Sequence, residues 1–457
     1  MAAKSQMIDM GTGNVKKLLL KMAVPTVIAQ LISLIYNIVD RIYIGHIEGI
    51  GTLALTGVGL CAPIILLINA FASLGGAGGA PRAAIAMGQG KNEQAEKILG
   101  NCFAMLMLFA VILTGVLFFA AEPLLVLFGA SENTLPFALD YMRIYLFGSI
   151  AVLTVMGMNP FLTTQGFTKF AMISTVIGAC INIILDPVFI FGLKMGVKGA
   201  ALATIISQAV SAVWVLSFLR GKKTILKLRL SNMKLSSKVI LPCLALGASP
   251  FVMLMTESLL NISFNTSLVK YGGDIAVGSM TILSSVNQLA MLPLSGICQG
   301  GQPIISYNYG AGNKERVKEA FKLQFFICLG YTVIFWAVCM LFPQIFAGIF
   351  TNDMALVEYT SWALRIYGAG ILVLGMQISC QQSFMALGQA KTSLLLACLR
   401  KMILLIPLIF ILPIFFENKV FAVFLAEPVS DIIASMVTVT VFFKNFNKIL
   451  DGGSAKI

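Results

Sequence analysis

The chain carries little charge and almost no histidine: of its 457 residues only 11% are Asp, Glu, Lys or Arg, and His46 is the single histidine. Soluble domains devote about a quarter of their residues to charge, so an ordinary water-soluble fold is excluded. His46 falls in a short loop and reads as incidental rather than as a ligand. The nine cysteines, among them Cys61, Cys180 and Cys398, stand singly within apolar stretches, without disulfide or zinc spacing, and read as small apolar residues. No HExxH or GxSxG is present, which leaves a catalytic constellation hard to assemble, and no P-loop GxxxxGKS/T marks ATP as an energy source. The glycines Gly75, Gly76, Gly78 and Gly79 lack a following Lys-Ser/Thr and fit close helix packing or a bend. A cleavable signal peptide is not expected: MAAKSQMIDMGTGNVKK is polar and leads directly into a full-length span.

What the chain has in abundance is apolar sequence, 58% of residues at a mean hydropathy of +0.92. Runs of about 20 apolar residues point to transmembrane α-helices and not to a β-barrel, whose strands alternate. Twelve spans fit, at roughly 18–42, 52–78, 95–120, 134–157, 166–192, 197–219, 238–268, 275–303, 319–347, 356–382, 390–415 and 418–443. The net charge of +13 invites a nucleic-acid reading, but the basic residues concentrate in alternate loops. One side holds Lys4, Lys16, Lys17 and Lys21, then Arg82, Lys91 and Lys97, Lys169, the run from Arg220 to Lys238, the four from Lys314 to Lys322, Lys391, and Lys444, Lys448 and Lys456. The other holds only Arg41, Lys194, Lys198, Lys270 and Lys419. The positive-inside rule then expects both termini and the 220–237 connector in the cytoplasm. The basic excess is a topology signal, and no nucleic-acid partner is expected.

The two halves are repeats. MGQGKNEQAEK at 87–97 aligns with YGAGNKERVKE at 309–319, an offset of 222 that also carries Pro81 onto Pro303, Arg143-Ile144-Tyr145 onto Arg365-Ile366-Tyr367, Gly166 onto Gly388 and Lys169 onto Lys391. Six spans per half is an even number, so the repeats are parallel, related by an axis along the membrane normal, with the site between or within the lobes. The expected division is an amino-terminal lobe at 1–219, a basic linker at 220–237 and a carboxy-terminal lobe with a short tail at 238–457.

Within this frame NIILDPVFIF stands out. Asn182 and Asp186 lie four residues apart on one helix face, and Pro187 follows the carboxylate. An ionisable side chain at bilayer depth is costly and by default faces a cavity, while proline bends the helix and frees backbone oxygens beside it. Such a group suits a small cation or a proton; the alternative is a protonated Asp at a kinked core helix. Asp40 closes LISLIYNIVD with Tyr36 and Asn37 on the same face, or else sits at the interface bridged to Arg41. Asp40 aligns with Asn265 and Asp186 falls near Leu408, so the acidic pair is expected in the first half only.

Together these features resemble the multidrug and toxic compound extrusion (MATE) family. The likeness runs from Pro25 to about Lys444 and rests on Pro25, Asn37-x-x-Asp40, the twin glycine elements starting at Gly88 and Gly310, and Gly166-x-x-Lys169. Asn182-x-x-x-Asp186-Pro187, Gly199-Ala200-Ala201-x-Ala203-Thr204 and Glu257 complete it. The resemblance implies an all-α integral membrane protein of twelve helices in a V-shaped pair of six-helix lobes, exporting amphipathic organic cations in exchange for H⁺ or Na⁺. It places a coupling-ion site on Asp40, Asn182, Asp186 and Thr204, where Na⁺ or a proton would sit, and an acidic position on Glu257. The span-10 carboxylate of some members is absent here, replaced by Gln377, Gln381 and Gln382. Two carboxylates in a dry lobe cannot both stay charged at low cost, so the pair would load a proton or monovalent cation.

Glu257 and Arg400 both lie deep in the second half and are expected to approach one another, or to occupy separate watered niches. Cleft-facing polar residues are expected among Asn69, Asn159, Gln165, Asn287, Gln288, Gln377 and Gln381, most of them equally suited to helix–helix hydrogen bonds. The 23 methionines and 32 phenylalanines suit a promiscuous cavity, though ordinary packing accounts for most. The expectation is a monomeric, multi-pass transporter of a bacterial cytoplasmic membrane, with no cofactor beyond the coupling ion and no enzymatic activity. A lipid-linked-saccharide flippase of related fold, or a membrane enzyme, are the alternatives.

Overall fold

The computed structural model describes residues 8–452, so Lys4, Lys456 and the final tail lie outside the described residues. Among the described residues every regular element is helical. Ten helices are long and apolar enough to cross a membrane, eleven when the pair Leu135–Phe147 and Ser149–Thr164, bent by 58°, is taken as one. In chain order we label α1 Val15–Gly45, α2 Gly51–Gly88, α3 Asn92–Leu127, α4 the bent pair, α5 Thr168–Gly192 and α6 Val197–Arg220. The next helix, Ser237–Gly310, runs for 74 residues. At 1.5 Å per residue a straight helix of that length would reach about 110 Å, far beyond a ~30 Å hydrocarbon layer. It is broken at Gly273, whose φ of 64° is open to glycine at no steric cost. We therefore label its two parts α7 (237–272) and α8 (274–310). The rest are α9 Lys314–Leu341, α10 Met354–Ala386, α11 Ala390–Phe415 and α12 Lys419–Leu450. The arrangement is consistent with the twelve spans expected, most of the helices running longer than the apolar run that announced them.

The register of the repeat reappears as reciprocal packing between the halves. Gly88 of α2 lies on the Tyr307 carbonyl of α8, and Gly310 of α8 lies on the Ile85 carbonyl of α2. Gly78 meets the backbone of Cys243 and Gly247 on α7, as Gly300 meets that of Met22 and Ala23 on α1. Each glycine lets two backbones touch where any Cβ would intrude, the usual device where lipid supplies no hydrophobic drive between helices. Inside the first half Gly76 likewise meets the backbone of Gly157, while Gly75 and Gly79 make room for the side chains of Leu106 and Cys102. The Thr26 hydroxyl adds a 2.6 Å hydrogen bond to the Gly296 carbonyl, and Phe71 and Phe251 meet edge to face at 5.2 Å.

These contacts gather at the end of the bundle that carries the amino-terminal segment and the linker. The Arg316 guanidinium donates to the carbonyls of Met10, Thr12 and Gly13, while the Ile8 amide reaches Gly166 in the first half. The linker is docked, not loose. Gln165 Oε1 accepts from the Thr224 hydroxyl and from the amides of Ile225 and Leu226, Glu96 accepts from the Lys227 amide and pairs with Arg229 at 3.1 Å, and Asn101 clasps Asn232 and Ser236. At the same end Lys314 lies 2.6 Å from Asp451 and holds that carboxyl below its usual range. The pair is therefore intact at neutral pH and fades only as pH falls through the lowered value. Being fully exposed, it is screened and weak.

Gly88→Leu forces α2 and α8 apart and is expected to destabilise the protein by about 1–3 kcal/mol, read as a lower Tm in detergent. Gly115→Ala, in open space on α3, leaves Tm unchanged or slightly higher.

Candidate functional site in the first lobe and a charged cluster in the second

The first-lobe residues singled out by sequence come together at the meeting of α1, α4, α5 and α6. Asn182 and Asp186 share the inner face of α5, as their spacing predicts, and both are buried. The Asn182 amide donates to Asp186 Oδ1 at 3.2 Å and reaches Thr204 Oγ1 on α6 at 3.5 Å. Asp40 on α1 is half-buried, and its carboxyl lies within hydrogen-bonding reach of Asp186. Three oxygens, Asp40 Oδ1, Asp186 Oδ2 and Asn182 Oδ1, are buried without a donor. Orphaned acceptors of this kind are expensive in a dry interior unless something positive lies between them. Behind Asp186, Pro187 leads into a π-helical turn over Val188–Gly192, the local loosening that its missing N–H foretells.

Tyr36 lies beside Asp40 and is hydrogen-bonded to the side chain of Asn37, which is itself exposed and donates its amide to the Ser33 carbonyl one turn back at 2.6 Å. Asp40 forms no ion pair with Arg41 among the described residues, so the interfacial bridge is not seen. Two residues went unrecognised. Tyr141 and Tyr145 of α4 stack at 6.0 Å and 17° over the site, with the Tyr141 hydroxyl next to Thr204 and Tyr145 next to Tyr36. Their i, i+4 spacing on an otherwise apolar face was the available signal.

In the second lobe Glu257 is paired with Lys401, not with Arg400. Arg400 is instead held by α12, its Nε 2.7 Å from Asp431 Oδ1 and a terminal nitrogen 3.7 Å from Glu427. A π-helical turn over Leu399–Leu405 lets two successive basic residues turn into the lobe. The expectation of an acidic pair in the first half alone is therefore corrected: Glu427 and Asp431, again four residues apart and flanking Pro428, make a second one. The proposed cleft residues divide. Gln288 is exposed. Asn159 is occupied by the Ser174 hydroxyl at 3.0 Å, bracing α4 on α5. Gln377 and Gln381 are buried, Gln381 reaching Met253 Sδ, and so do not line an open cleft in this conformation. Gln165 serves the linker, as described above.

A family model described as MatE matches residues 25–188 and 250–411, one copy in each half. The chain belongs to the MatE family. The multidrug export protein MepA of Staphylococcus saprophyticus is 26% identical over 430 residues, covering 93% of both chains, and MepA of Staphylococcus aureus is 25% identical over 429 residues, covering 92% of this chain and 93% of that one. Among solved structures, an outward-facing multidrug resistance MATE transporter superposes with a TM-score of 0.89 at 23% identity, over 96% of this chain and 97% of the other. A Pyrococcus furiosus MOP-superfamily transporter, described as having a binding pocket of reversed polarity that suggests a different function, gives 0.89 at 22% identity over 97% and 98%. At such identities the superpositions speak for the fold. Membership in MatE makes the chain a multi-pass membrane transporter and not an enzyme.

Arg400→Ala would strand two carboxylates in the second lobe of this MatE protein. Removing one partner of a buried ion pair costs about 3–5 kcal/mol, so a large fall in Tm is expected. Adding Asp431→Asn to Arg400→Ala should recover part of it.

Proposed function

We propose that the protein is a multidrug exporter that expels amphipathic organic cations in exchange for H⁺ or Na⁺, with the coupling ion taken up by Asp40 and Asp186. The observation that carries this reading is the trio of donorless oxygens on Asp40, Asn182 and Asp186 inside the first lobe. Two adjacent carboxylates and an amide oxygen suit one proton or one small monovalent cation, and Thr204, Tyr36 and Tyr141 supply the hydroxyl border. The MepA relatives, named as multidrug export proteins, support the cargo class. Joining of the halves at the terminus-bearing end supports a cleft open at the opposite end, and the placement of basic loops supports cytoplasmic termini in a bacterial plasma membrane. We take the working unit as a monomer, with lipid and cargo as its partners and no cofactor beyond the coupling ion. The flippase alternative expects several free cationic side chains for phosphate, whereas the two deepest, Arg400 and Lys401, are already bound to carboxylates.

The test is efflux of a fluorescent lipophilic cation from pump-deficient cells, with Asp40→Asn and Asp186→Asn beside the parent protein. Both variants are expected to express normally and retain the dye at least ten times longer. A protonophore that stops efflux assigns H⁺; efflux that survives it but needs external sodium assigns Na⁺. Equal clearance by both variants refutes the coupling role.

A further inference from the structure

The second lobe holds a charge imbalance that the proposed function does not use. The Glu257–Lys401 pair is neutral as a unit, and Glu257 is 47% exposed at its side chain. Behind it a single guanidinium, Arg400, faces two buried carboxylates, 6% exposed for Glu427 and 2% for Asp431. The partners are not shared evenly. Asp431 takes the short contact from Arg400 Nε, and its carboxylate is packed against the Cα of Gly370, where no larger residue would fit. Glu427 has only the 3.7 Å approach of a terminal nitrogen, outside hydrogen-bonding distance, and no hydrogen bond reaches its carboxyl among the described residues. One negative charge in this pocket is unanswered, and a lone ion in so dry a place is neutralised by what it binds.

We propose that Glu427 carries an exchangeable proton, making the second lobe a second proton-binding site distinct from the Asp40–Asp186 pair. The groups facing Glu427 from the elements around it are Asp431 on its own helix, Arg400 and Lys401 from the π-turn of α11, Glu257 from α7 and the Tyr367 hydroxyl from α10. On release the carboxyl O–H bond of Glu427 breaks and the proton passes to water. Glu427 then competes with Asp431 for Arg400, so α12 is held against α11 differently with and without the proton.

The proton is observable without transport, by infrared spectroscopy of the full-length purified protein in lipid. A protonated carboxyl gives a carbonyl stretch, separate from that of carboxylates, which shifts in D₂O. The Asp40→Asn/Asp186→Asn double variant is expected to keep such a band at neutral pH and lose it on alkaline titration. Adding Glu427→Gln should remove the band, and adding Glu427→Asp should shift it without abolishing it. Absence of the band from the double variant, or its survival with Glu427→Gln, overturns the proposal. Because the first-lobe carboxylates are removed in every sample, the result is the same whether or not Asp40 and Asp186 couple export.

Discussion

A charge held inside a hydrocarbon layer has to be answered within the protein, because lipid tails neither solvate ions nor donate hydrogen bonds. That constraint organises both lobes. In the first, two carboxyls and an amide converge with three buried oxygens that no donor reaches. In the second, two basic side chains and three acidic ones are woven through α7, α11 and α12. The first lobe keeps acceptors without donors. The second is largely a knot of resident ones, with Glu427 its loosest strand.

The same constraint explains why the helices are bound by glycine. With no hydrophobic gain from meeting one another in lipid, helices associate by backbone contact and short-range attraction. The reciprocal crossings of Gly88 with Tyr307 and Gly310 with Ile85 give the halves a two-fold seam, in which each repeat contributes the small residue that the other needs. Duplicated sequence becomes a symmetric interface with no residue invented for the purpose.

The apolar spans and the repeat were legible because they depend on composition and on a fixed offset, both visible in one dimension. Asp186 was legible too, since an acidic residue beside proline in an apolar run admits few structural explanations. Glu427-Pro428 and Asp431 satisfy the same criterion, yet the partner of Arg400 was sought across the lobe on α7 and not on the adjoining helix of the α11–α12 hairpin. Depth along a span can be read from sequence; rotation about the helix axis cannot, and a π-helical turn alters that rotation. The same gap hid Tyr141 and Tyr145, which look like ordinary interfacial aromatics until α4 is seen to turn Tyr141 toward Thr204. Asn37 spends its amide on a carbonyl of its own helix, a local capture that spacing alone does not announce.

The docking of residues 224–236 onto the first half alters what the connector can do. A free chain of that length would leave the two halves tethered but otherwise independent. Clasped by Gln165, Glu96 and Asn101, it belongs mechanically to the first half up to Ser236. Any rocking of one half on the other then has its covalent fulcrum at the first residue of α7, close to the glycine seam. A swing of the second half about that residue would displace the far end of the bundle most.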